Sequence, residues 1–146
     1  MRPEPPRRAA TVSLRRQQEA LVAVVALVFG LIAGLLHVGF WLIESVWWRQ
    51  ARVWKQFGVA SQEDADLMSF GMLNQGYYNL FLGIGAIVGA FLVITDVSGR
   101  TTLLGYCCLF MVGAAVVLFL ARRSMLRAAL VQGMAPAIAL IALAFV

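Results

Sequence analysis

The sequence predicts an all-α integral membrane protein, a four-transmembrane-helix antiparallel bundle, and two observations carry that prediction. Of 146 residues, 62% are hydrophobic and 13% charged, with a mean hydropathy of +0.84; an ordinary soluble domain is about 45–50% apolar and about 25% charged. The apolar residues also fall into four blocks, each close to the roughly 20 residues that one spanning helix needs. The blocks take more than half the chain, so no second, soluble domain fits beside them.

Met1 to Arg16 holds three of the four prolines and five arginines (Arg2, Arg7, Arg8, Arg15 and Arg16). This composition reads as a disordered tail over 1–16, followed by a four-helix transmembrane domain over 17–146. From Ala20 to Ile43 the one strongly polar residue is His37. The run is too long for the apolar stretch of a signal peptide and no small-residue cleavage site follows it, so it reads as a span that stays.

Glu44 to Ser69 is the one substantial loop. Its first half sets Trp47, Ala51, Trp54 and Gly58 at helical spacing with Arg49, Arg52 and Lys55 on other faces, the pattern of a helix lying in the headgroup layer with tryptophan anchors. Ser61 to Asp64 then reads as a turn and helix start, with Ser61 or Gln62 as cap and acids near the amino end. The second span covers Phe70 to Ile94, with Asn74, Gln75, Tyr77, Tyr78 and Asn79 in its first turns. A tight turn over 95–100 leads to the third span, Leu103–Ala121. Arg122, Arg123 and Arg127 mark the next turn, and Ala128–Val146 is the fourth span. Short connections make successive helices antiparallel neighbours.

Twelve Lys and Arg against seven Asp and Glu give a net charge of +5. In a membrane protein such a surplus sits in loops beside lipid phosphates, so membrane lipids are the expected partner and nucleic acid is not. The tail and second loop carry six cations, and the first and third loops carry six. The positive-inside rule therefore assigns no orientation. Gly30 with Gly34 and Gly85 with Gly89 stand at four-residue spacing, which lets helices approach closely within the bundle or across a homo-oligomer seam. Cys107 and Cys108 are adjacent in an apolar block and read as small core or lipid-facing residues.

Antiparallel order puts the end of span one, the start of span two, the end of span three and the start of span four in one leaflet. His37, Glu44, Asn74, Gln75, Tyr78, Asn79 and Gln132 all fall there, while the opposite half is almost wholly apolar. His37 and Glu44 are seven residues apart, hence on one helical face and roughly 10 Å apart along the axis, with Trp41 between them. Gln75 and Asn79 also share a face. Amides and ionisable groups facing hydrocarbon are costly, so these faces turn inward and make a polar pocket. Pro136 deprives the Gln132 carbonyl of its helical partner and bends the fourth span at that depth. A metal site has little support, because there is no second histidine and zinc needs more ligands than His37 and Glu44. The cofactor is left open, with haem at His37 as a further use of the lone histidine.

At these residues the chain resembles the domain-of-unknown-function 1304 family, small four-helix membrane proteins of bacteria and fungi. The family's first-span His, Glu and Trp appear as His37, Glu44 and Trp48, and its loop Phe-Gly as Phe57 and Gly58. Its most specific segment stands as Asn74, Gln75, Gly76, Tyr78, Asn79, Phe81 and Leu82. Its Val-Gln-Gly stands as Val131, Gln132 and Gly133, with the following proline displaced by one residue to Pro136. The resemblance implies a fold and motif positions but no activity.

Two functions of different class follow. In the first, a polar pocket in one leaflet binds a lipophilic small molecule. His37 is then the candidate acid or base for an isomerase-type proton transfer, Glu44 its orienting charge, and Asn74, Gln75, Tyr78, Asn79 and Gln132 ligand-binding residues. In the second, the same residues join helices in a structural or accessory subunit, with glycine pairs at an oligomer seam. A multi-pass protein of the bacterial plasma membrane is the expected setting.

Overall fold

In a computed structural model of the chain, residues 6–95 and 97–146 are described, with side chains from Thr11 onward. Helix α1 (Pro6–Trp41) passes into a π turn, Leu42–Val46. The short α2 (Ala51–Trp54) and a 3-10 turn (Lys55–Phe57) precede α3 (Gln62–Val93). Helix α4 (Thr102–Ala121) is followed by a second 3-10 turn (Arg123–Met125) and α5 (Leu126–Leu143). Thr11–Val46, Gln62–Val93, Thr102–Ala121 and Arg123–Leu143 are each long and apolar enough to cross a membrane. The chain is a multi-pass membrane protein of four helices.

The first helix starts earlier than the sequence reading places it. Residues 6–16 are helical where a disordered tail is expected, and residues 1–5 lie outside the described residues. After Pro6, which suits a first helical position, nothing breaks the helix. Ala9, Ala10 and Leu14 are good helix formers, and the Arg15 guanidinium meets Glu19 at 3.2 Å one turn on. These residues extend a long apolar helix and so need no nucleus of their own.

Small side chains set the packing. Helix α1 lies against α3 and α5, and α4 closes the bundle against α3 and α5. Ala26, Ala33, Ala86, Ala90 and Ala139 are fully buried, together with Leu104, Cys108 and Met111. A Cβ on Gly34 would stand 2.8 Å from the Gly83 carbonyl oxygen, and one on Gly89 would stand 2.6 Å from the Leu104 amide nitrogen. Gly30 faces Leu104 and Gly85 faces the Cys107 sulfur. Both glycine pairs thus serve close approach inside the bundle, the first of the two uses the spacing allows. Cys107 and Cys108 are buried free thiols.

The loop after α1 departs from an interfacial helix. At 36 and 32 residues, α1 and α3 are about 54 and about 48 Å long, well beyond a hydrocarbon core of about 30 Å. The amino-terminal turns of α3 therefore project from the apolar layer, and the loop folds onto them as a cap. Trp48, Val53 and Trp54 pack with Ala65 and Met72, and the Trp48 indole N–H donates to the Ala65 carbonyl at 2.9 Å. Trp48 and Trp54 are 3% and 4% exposed, so they form the cap's core instead of anchoring in headgroups; Trp47, 41% exposed, keeps an outward position. Burying two indoles against α3 removes more apolar surface from water than laying them at an interface does. Ser61 caps α3 as expected, its hydroxyl accepting from the Asp64 amide at 3.1 Å.

Candidate functional site

Glu44 lies in the middle of the π turn, where the Trp47 amide reaches back five residues to the Leu42 carbonyl at 2.8 Å. A π turn holds one residue more than an α turn, which rotates the side chains that follow out of α register. Within the same turn the chain packs tightly against α3. A Cβ on Gly76 would overlap the Ser45 hydroxyl, and that hydroxyl donates to the Leu73 carbonyl at 3.0 Å. The missing side chain at Gly76 is what brings the flanking Gln75 and Asn79 up to α1.

The result is a buried carboxylate held from both sides. Gln75 Nε2 donates to Glu44 Oε1 at 3.0 Å, and Asn79 Nδ2 donates to Glu44 Oε2 at 2.6 Å. Glu44 is 6% exposed. Both of its oxygens accept from the α3 amides. Among the described residues no cation lies within 4 Å of it; the ion pair between Arg15 and Glu19 is elsewhere on α1. The loop cations Arg49, Arg123 and Arg127 do not pair with Glu44, and the amides of α3 hold it instead. Arg123 instead lies over the Phe119 ring at 4.3 Å, and Arg49 and Arg127 are exposed.

The other expected site residues are distributed around this centre. His37 is 1% exposed, its Nδ1 paired with the Ala33 carbonyl at 2.9 Å and its ring edge-on to Phe40 with centroids 5.2 Å apart. The histidine thus bonds within its own helix and makes no hydrogen bond to Glu44 or to the amides. Trp41, between them in sequence, stands edge-on to Tyr77 at 6.3 Å, and its indole N–H is buried without a partner. Asn74 and Tyr78 are exposed. Gln132 is half-buried on α5 beside the buried Pro136, with no hydrogen bond to the Glu44 centre. Of the seven expected site residues, the structure brings Glu44, Gln75 and Asn79 into direct contact. Ser45 and Gly76, which set that contact, were not singled out as site residues; the spacing Gln-Gly-x-x-Asn opposite Glu-Ser was the signal. No three His, Cys, Asp or Glu residues gather as a metal-binding group among the described residues.

With this geometry in view, comparison with known proteins is specific on one point. Residues 30–144 match the family model described as a protein of unknown function, DUF1304. The chain belongs to the DUF1304 family. No curated protein and no solved structure matches it. The stretch matched in this DUF1304 protein runs from the Gly30 contact through the π turn, the cap and the Glu44 centre to the end of α5. The arginine-bearing turns of α1 that precede residue 30 lie outside the match.

Proposed function

We propose that this DUF1304 protein binds the polar end of a lipophilic small molecule at the Glu44–Gln75–Asn79 centre, in the leaflet that holds the carboxyl end of α1. The observation behind the proposal is the carboxylate itself. Ionisable groups within spans are costly, and as a rule they mark sites that bind or transfer something. Glu44 lies one side chain in from the bundle surface, because Gln75, which donates to it, is itself exposed. A molecule dissolved in the bilayer has a short lateral route to it.

An isomerase-type proton transfer is part of the same proposal, with His37 as its acid or base. A His37 Nδ1–H donated to Ala33 leaves Nε2 as the nitrogen that carries the lone pair, the arrangement a base requires. The setting we propose is the bacterial plasma membrane. Purification in mild detergent from a lipid-rich host, with mass spectrometry of the organic extract, tests the reading. The wild-type chain is expected to retain a nonprotein molecule that His37→Ala and Glu44→Gln lose. Unaltered retention in both variants would refute the proposal.

A second reading rests on what the same bonds join, since they run from α3 to the π turn that ends the first span: the amides tie two spans together, and the chain is a structural or accessory subunit. In that case both variants lower the melting temperature in detergent, and lipid extract changes neither melting temperature nor retained mass.

A further inference from the structure

Resting on that ligand-binding reading, we infer that the centre selects a monocation, the ammonium end of a lipophilic amine. Glu44 places a carboxyl group in the bundle, and the structure supplies two amide donors to it and no cation within 4 Å among the described residues. Amide hydrogen bonds stabilise an ionised carboxylate without neutralising it, and a ligand of opposite sign supplies that neutralisation in a low-dielectric interior. The oxygen side of each amide is also available. Gln75 Oε1 and Asn79 Oδ1 make no hydrogen bond in the structure, and rotation of either amide exchanges a donor for an acceptor toward Glu44. One carboxylate with two carbonyl oxygens suits an N–H-bearing ammonium.

The donor set also argues against other occupants. A divalent metal calls for more carboxylate or imidazole ligands than one glutamate. An anionic lipid head would be repelled by Glu44. A neutral alcohol could donate to the carboxylate but would leave its charge in place. Apolar length for the tail of the ligand is available at the same depth, where Phe81, 64% exposed, and Tyr78, 61% exposed, flank Asn79 on α3.

The test uses full-length protein in detergent and three probes of equal chain length, decylammonium, decanol and decanoate, with binding read by native mass spectrometry. The wild-type chain is expected to hold decylammonium at least about tenfold more tightly than decanol, and decanoate least. Glu44→Gln should abolish that preference, Glu44→Asp should keep part of it, and Ser98→Ala in the exposed turn before α4 should leave it unchanged. Equal binding of amine and alcohol, both reduced by Glu44→Gln, would overturn the monocation inference and leave the ligand-binding reading standing. Binding of all three probes that ignores Glu44→Gln would sink both. Should Glu44→Gln not fold, the amine-to-alcohol ratio on the wild-type chain decides the matter alone.

Discussion

Gly76 and Glu44 show how little is needed at the level of single residues to build the centre. A methyl group at Gly76 would occupy the position of the Ser45 hydroxyl, with the Ser45 Cβ and amide nitrogen each 3.2 Å away. Nothing lies within 4 Å of a Cβ at Gly71, one and a half turns earlier on α3. Gly76→Ala is therefore expected to destabilise the protein by about 1–3 kcal/mol. Gly71→Ala should be neutral or slightly stabilising. Thermal unfolding of the pair in one detergent measures the contrast, and equal effects would show that α1 and α3 do not cross there. For the carboxylate, a double-mutant cycle over Glu44→Gln and Asn79→Leu should give a coupling of about 1–2 kcal/mol. Additive losses would mean that the 2.6 Å bond contributes nothing measurable.

At the level of elements, the π turn and the cap decide where the side chains point. Deletion of Ile43 removes the extra residue of the π turn and returns the chain to α register. Every side chain after it then rotates by about 100° relative to α3. The coupling between Glu44 and Asn79 should vanish in that variant while the four-span fold survives, which circular dichroism and the same cycle would report. The cap hangs on fewer contacts. Trp48→Phe keeps a ring edge-on to Phe57, whose centroid lies 5.4 Å from that of Trp48, and removes the donor to the Ala65 carbonyl. A loss of about 1 kcal/mol is expected. Hydrogen exchange should rise in 47–60 and stay unchanged in α4 and α5.

The molecule as a whole carries the polar residues of its spans toward one end, and topology determines which connections lie there. A Cβ on Gly58, after α2, would be 3.3 Å from an Arg122 guanidinium nitrogen at the end of α4, so the first and third connections share a side. Single cysteines at Ser61 and Ser124, in a background without Cys107 and Cys108, should therefore react with an impermeant thiol reagent from the same side of a sealed vesicle. A cysteine at Ser98 should react from the other side. Opposite labelling of positions 61 and 124 would overturn the four-span bundle. Which side faces the cytoplasm is not decided by charge, since the cations divide evenly between the two.

Composition, block length and short connections determined the four spans, their antiparallel order and the end of the bundle toward which the polar residues of the spans gather. These follow from hydrophobicity, helix period and short connections, which are local properties of the chain. Gln75 and Asn79 were legible as one polar face for the same reason. Their partner was not. Whether Glu44 reached an arginine, His37 or α3 depended on a one-residue excess in the π turn and on the closeness that Gly76 allows opposite Ser45. His37 and Gln132 were grouped with that face by depth, but depth along a helix does not fix azimuth, and the bundle gives each its own surroundings. The fate of the loop tryptophans was likewise tertiary: their spacing suited a membrane surface, and only the projecting start of α3 offered Trp48 and Trp54 a better burial. Sequence set the position of each polar group along its helix, and packing chose which of them touch.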